Sequence, residues 1–410
     1  MPSPTPATSS TAPEFTPPAP AVPPAVTVMA LGVFAAGTSE FMPSGLLPAI
    51  ADSYAVSIPH AALTVSVFAV GMVIGALLCA VATTQMAKRA VLLAAIATLA
   101  LGHVIGALAP SFGWLLASRL VSALATGAFW TVAAVVAVAI TPPGASARAL
   151  ARLIGGMTLA NIIGVPLGTW IGQALGWRTT FWAVAVVAAL AALAVWALVP
   201  EPARAKAPAS LARELRTFRQ GRLWLAYATI ACFQTAYMGL LSYAAPLLTD
   251  VSGLPSSAVP LVLTGFGIGS FLGIQLGGRV ADRHPWHTMG IGLGGLTLAM
   301  AAIAALAAVS GLLTAVLILL AGVVSYIAAA PLNARVFGLA GDAPNLASGA
   351  NVTAFNIGNA AGPLLGGWAI GQVGYTGPAM VGAVTGLMAL GLMLLSRQAD
   401  RRRQQLLPVR

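Results

Sequence analysis

Glu40 is the one carboxylate inside an apolar stretch long enough to cross a membrane, Val26 to Ile50. A charged side chain at the bilayer centre costs roughly 2.5–3.5 kcal/mol on insertion scales, and residues that carry this cost ordinarily serve a proton path, an ion path or a substrate site. Arg119 lies within or at the start of a later apolar stretch, Ser118-Arg119 through Thr126-Gly127-Ala128-Phe129-Trp130. There it can bond polar groups of neighbouring helices and favour the ionised form of a nearby acid. At headgroup level it would instead snorkel to water. Ser39 and Phe41, flanking Glu40, suggest a partly polar pocket wall. Trp130, Gln234, Tyr237, Tyr243, Tyr326, Asn356 and Asn359 are further candidates to line a central cavity. Bonds between helices would use the polar ones equally well.

Other chemistry is weakly represented. His103 reads as a packed histidine within an apolar stretch, and His284 and His287 sit in a polar loop with no further ligand, so no metal site is expected. Cys79 and Cys232 both fall in apolar stretches and read as small core hydrophobes. No Ser/His/Asp set or phosphate-binding Gly-Lys loop stands out, so neither an enzyme nor a cofactor is expected.

Composition supplies the setting for these side chains. The 410 residues are 59% hydrophobic and 7% charged, against about 25% charged in soluble domains, and mean hydropathy is +0.91. This is an integral membrane chain. The net charge of +11 is concentrated in short segments between apolar runs, so it reports membrane orientation rather than nucleic-acid binding. Twelve spans are expected, near 26–50, 61–83, 90–109, 114–140, 153–173, 178–199, 223–248, 258–278, 288–309, 312–338, 346–371 and 376–396. Lys88, Arg89, Arg148, Arg152, Arg222, Arg279, Arg283, Arg335 and the arginines from Arg397 fall on one side of that arrangement, and only Arg178 falls on the other. Both termini are therefore expected to be cytoplasmic.

Residues 1–24 form a Pro-rich tail with no Lys or Arg, expected to be disordered. The expected division continues with a six-helix bundle at 25–200, a cytoplasmic linker at 201–222, a second six-helix bundle at 223–396 and a basic tail at 397–410. Apolar residues at 211, 215 and 218 of the linker suit a surface amphipathic helix.

The two bundles repeat one another. A shift of 198 residues lays Pro48 on Pro246, Asp52 on Asp250, Phe68 on Phe266 and Gly75 on Gly273. Internal symmetry of this kind marks secondary transporters, whose substrate site lies between the repeats near mid-membrane. The same shift sets Glu40 opposite Met238 and Arg119 opposite Leu317, so the acid and base belong to the first half alone.

Several local patterns support that class. The loop Gly277-Gly278-Arg279-Val280-Ala281-Asp282-Arg283 resembles a signature of the major facilitator superfamily found after spans 2 and 8. Its first-half counterpart, Thr84 to Arg89, has Thr84 where the acid would stand and keeps only the terminal bases Lys88 and Arg89, while Gly75 in the preceding stretch is a helix-packing position. The run after Arg119 is similar to the same family's intramembrane-arginine motif. Gly164-Val165-Pro166-Leu167-Gly168, with its echo Gly362-Pro363, resembles the motif which that family associates with antiporters. The stretch from Gly37 to Ala51, with Leu332–Phe337, looks like the drug:proton antiporters related to chloramphenicol-resistance and sugar-efflux exporters.

The similarity covers residues 26–396. It implies an all-α membrane fold and a monomer without cofactors, in the bacterial inner membrane. The partners it implies are lipid, protons and a small-molecule cargo. Glu40 and Arg119 would couple proton movement to export of a small, largely apolar drug, with a sugar or other metabolite as the alternative cargo.

Overall fold

The structure is a computed structural model that describes residues 21–82, 86–142, 145–201, 220–281, 283–340 and 344–406, and these are helical without strands. The first half contains α1 (Pro24–Phe41), α2 (Leu63–Ala82), α3 (Lys88–Ala107) and α4 (Phe112–Ala139). It continues with α5, built from Ser146–Leu159 and Val165–Leu175 around a π-turn at Ala160–Gly164, and ends with α6 (Trp177–Leu198). The second half contains α7 (Gly221–Ser242), α8 (Val259–Ala281), α9 (Pro285–Leu306), α10 (Gly311–Ala340), α11 (Pro344–Val373) and α12 (Gly377–Leu406). Among the described residues, eleven helical stretches are long and apolar enough to cross a membrane, and the last, Gly349–Arg402, takes in most of α11 and α12 around a short turn. Leu78, Leu190, Trp196, Leu298, Leu312 and Trp368 are exposed on the outside of the bundle. Acyl chains cover such a surface favourably, while helices satisfy the backbone polar groups that lipid cannot.

Small residues set how closely the helices approach. Gly156, Ala160 and Gly164 form a stripe along α5 against α1, where a Cβ on Gly156 would stand 2.2 Å from the Ala30 carbonyl oxygen. Gly358 and Gly362 do the same along α11 against α7, and a Cβ on Gly362 would lie 2.6 Å from the Gly239 nitrogen. Close backbone approach of this type drives helix association in lipid, where apolar side chains gain nothing by leaving their surroundings. The two halves thus repeat one packing scheme as well as one sequence pattern.

Some boundaries depart from expectation. The stretch expected at 26–50 breaks after Phe41 into a 3₁₀ turn, Met42–Gly45, and then a short helix, Leu47–Tyr54. Its repeat, expected at 223–248, breaks after Ser242. Pro43 in the one, and Pro246 just past the other break, each remove a backbone N–H from the ladder. α12 runs on to Leu406, well into the segment expected to be a tail. The Pro-rich residues 1–20 and most of the linker, 202–219, lie outside the described residues.

Basic residues gather at the end of the molecule where α1, α3, α5, α7, α9 and α11 begin. There Arg222 and Arg335 both pair with Asp400, at 2.7 and 2.8 Å. The halves meet towards the opposite end. Pro59 packs on Gly367, and Tyr243 joins a core built from Met42, Leu46 and Leu47.

Candidate functional site

α1 delivers Glu40 in its last turn, about 24 Å along the axis from Pro24. A helix C-terminus disfavours negative charge, and Glu40 is only 5% exposed, so the carboxylate depends on nearby donors and cations. Asn359 of α11 donates its Nδ2–H to Glu40 Oε1 at 2.9 Å. Gln234 of α7 in turn donates to Asn359 Oδ1 at 2.7 Å. The acid of the first half is therefore held by a chain of two amides from the second.

Arg119 is completely buried rather than snorkelling. Its Nε donates to the Thr64 carbonyl and one terminal nitrogen to Ser39 Oγ, both at 3.2 Å. The guanidinium lies over the Phe68 ring, 4.1 Å from its centroid, an arrangement worth about 2 kcal/mol when desolvated. Arg119 also interacts electrostatically with Glu40, although the ion pairs within 4.0 Å among the described residues are those of Asp400. Ser39, which accepts from Arg119, is the chain neighbour of Glu40. His103 is buried near Arg119, its Nδ1–H donating to the Leu99 carbonyl at 2.9 Å and its ring tilted against Phe181.

The aromatic candidates divide. Tyr237 and Tyr326 adjoin Glu40, their hydroxyls 3.5 Å apart and their rings edge to face, with Phe266 against Tyr237. Phe41 packs with Val65 and Val165 into the core of the second half. Tyr243 instead bonds the Pro363 carbonyl at 2.7 Å and closes the far end between α7 and α11. Trp130 is half-buried in the core of the first half, about 16 Å along α4 from Arg119. Asn356 donates to Val352 of its own helix and keeps a buried carbonyl oxygen without a partner.

The motif residues are placed as follows. Gly75 meets the Leu124 backbone, Gly164 meets Thr38, and Gly168 approaches Thr180 more loosely. Pro166 follows the π-turn, whose Asn161 carbonyl receives Gly267 of α8 across the interface between halves. Gly278 faces open space, and its neighbour Gly277 makes the close contact, with Ile327. Arg283 is exposed, and Asp282 lies outside the described residues. The Lys88 and Arg89 backbone N–H groups donate to Glu201 at 2.7 and 3.0 Å, while the Arg89 side chain donates to the Trp196 carbonyl. Glu201 was not singled out by sequence, because it lies over a hundred residues from the Lys88 and Arg89 it binds. Phe68 was visible only as a repeat position. Asn359 was one of several polar residues in its stretch, with nothing in the sequence to set it apart.

This two-bundle architecture agrees with the sequence comparisons. Residues 29–353 and 253–408 match the profile of the Major Facilitator Superfamily. The chain belongs to the major facilitator superfamily. It is a multi-pass membrane transporter, and its chemistry is that of transport rather than of an enzyme. It is 38% identical over 373 residues to the "Chloramphenicol resistance protein" of Streptomyces lividans, covering 90% of this chain and 94% of that one. It is 35% identical over 369 residues to the "Inner membrane transport protein YdhP" of Escherichia coli (strain K12), with the same coverage of 90% and 94%. Among solved structures, a D-xylose-proton symporter superposes with a TM-score of 0.75 at 15% identity, covering 90% of this chain and 96% of that chain. That last likeness bears on the major facilitator fold alone.

Proposed function

We propose that this transporter exports a small, largely apolar drug such as chloramphenicol in exchange for protons. It would do so as a monomer of twelve spans in the bacterial inner membrane, with both termini cytoplasmic. The observation that carries the reading is Glu40, a buried acid at the meeting of the two halves, flanked by a buried arginine and held by an amide of the opposite half. A carboxyl so placed changes its bonding whenever a proton arrives, and cargo that favours the other form displaces that proton. Exchange then follows from differential binding alone. Each pH unit contributes about 1.4 kcal/mol per proton and each 100 mV about 2.3 kcal/mol per charge, so the gradient suffices and no cofactor is required.

The second half supplies most of the cargo surface in this reading. Tyr237, Tyr326 and Phe266 offer aromatic faces, and the unpaired Asn356 carbonyl offers an acceptor for a hydroxyl or amide of the cargo. The same acceptor favours a second reading, efflux of a sugar or another polar metabolite. The similarity to the chloramphenicol resistance protein over 90% of the chain favours the drug.

The test is proton-driven chloramphenicol flux in proteoliposomes, comparing wild type with Glu40→Gln. Wild type should exchange drug for protons and the variant should not. Proton-dependent flux that survives in the variant removes Glu40 as carrier. Absence of chloramphenicol flux in wild type, with flux of a labelled pentose, selects the metabolite reading.

A further inference from the structure

We infer that Asn359 is the latch through which protonation of Glu40 releases one half of the transporter from the other. The inference rests on the proton-coupled reading above and adds the residue that converts the proton into movement. Two side-chain hydrogen bonds join the halves along α11: Asn359 to Glu40 at 2.9 Å, and Ser66 to the Ala360 carbonyl at 3.0 Å. The second joins neutral groups and does not respond to protons. The first is charge-assisted while Glu40 is ionised, and bonds of that kind are roughly twice as strong as neutral ones.

The direction of the amide chain makes this bond sensitive. An ionised carboxylate only accepts, so Asn359 must present its NH₂ to Glu40 and its carbonyl to Gln234, as it does. Protonation leaves Asn359 with a neutral acceptor, or with a donor hydroxyl that its NH₂ cannot meet. Turning the amide to accept from that hydroxyl would set its NH₂ against the Gln234 NH₂. The bond to α1 is thus weakened while the bond to α7 holds, and α7 and α11 leave together.

The other ionisable groups around Glu40 fit this assignment. Arg119 comes from α4, Tyr237 from α7 and Tyr326 from α10, with His103 of α3 behind Arg119. α5 directs Arg152 to Thr27, more than three turns from Glu40 along α1, and the arginine of α6, Arg178, reaches Tyr54. Glu40 alone among them faces a neutral donor across the gap between halves.

The experiment places spin labels at the exposed positions Asp52 and Gln372, at the far ends of the two halves, in a background lacking Cys79 and Cys232. Distances are read at acid and neutral pH in lipid nanodiscs, and chloramphenicol–proton exchange is measured in proteoliposomes. Wild type should change its distance distribution with pH. Asn359→Leu should fix a single distribution and lower exchange roughly tenfold, with Glu40 still present, and Asn359→Gln should restore part of both. Asn359→Ser, too short to reach Glu40, should match the leucine variant and serves if that one does not fold. If the Asn359 variants swing and exchange like wild type while Glu40→Gln does neither, the latch is wrong and the proton role of Glu40 stands. If wild type shows no swing and Glu40→Gln exchanges normally, the proton-coupled reading falls and the latch with it.

Discussion

Neutralising Arg119 should destabilise the protein more than any other single change at the site. Arg119→Met keeps the length and apolar bulk of the side chain but removes its fork from Ser39 and the Thr64 carbonyl. The Thr64 carbonyl belongs to α2 and Ser39 can rotate its hydroxyl, so those two losses contribute about 1 kcal/mol each. Loss of the contact with the Phe68 ring removes up to about 2 kcal/mol, partly offset because the buried cation itself no longer has to be desolvated. A further effect falls on Glu40, which loses the electrostatic support of the nearby guanidinium, a loss smaller than the ~3–5 kcal/mol of breaking a contacting buried pair. The net expectation is a loss of about 3–5 kcal/mol at neutral pH. Glu40→Gln in the same chain should recover about 1–3 kcal/mol, the range of coupling between contacting groups. The assay is reversible unfolding of purified protein in mixed detergent–SDS micelles for the four members of the cycle. Additivity within about 0.5 kcal/mol would refute the reasoning. The guanidinium would then serve Ser39, Thr64 and Phe68 without regard to the carboxylate.

Three further outcomes follow from the packing. Gly75→Leu, which forces a side chain into the Leu124 backbone, should cost at least about 1–3 kcal/mol, whereas Gly278→Ala should stay within about 0.5 kcal/mol; unfolding in the same micelles compares them. Glu201→Ala removes the carboxylate from two N-terminal N–H groups of α3 and should lower stability by about 1 kcal/mol, without changing the exchange stoichiometry measured in proteoliposomes. Tyr243→Phe loses the bond to the Pro363 carbonyl and should loosen the far-end closure, read as faster alkylation of a cysteine placed at Pro59.

The sequence exposed the fold through properties that lipid enforces. Long apolar runs, basic residues confined to alternate loops and the 198-residue repeat each follow from the bilayer and from duplication, so they are visible without tertiary knowledge. The stripe Gly156-Ala160-Gly164 was legible for the same reason, since residues four apart share a helix face. Partnerships between distant segments were not legible. Asn359 and Glu40 are 319 residues apart, and any of Asn351, Asn356 or Asn359 had the chemistry to serve. Residues that differ by three or four positions share a face, and only docking of α11 on α1 selects the one at the right height. The bonding of Glu201 to the start of α3 was hidden for the same reason, and Gly277 rather than Gly278 faces α10 because α8 is rotated by an angle no single sequence specifies.

The asymmetry between the halves has a mechanical consequence. α1–α5 and α7–α11 pack on corresponding glycine stripes, so this packing does not distinguish the halves. What distinguishes them is that one carries a charge and the other carries its neutral donor. Met238, at the repeat position of Glu40, is fully buried and apolar, so the second half carries no acid at the corresponding position. A single acid meeting a neutral amide instead gives one bond between the halves whose strength depends on one proton. Met238→Glu should therefore alter the pH dependence of the spin-label movement, because a second buried carboxyl in the other half takes up a proton of its own. Retention of the wild-type pH dependence in that variant would mean that the movement is governed by some group other than the acid at the interface.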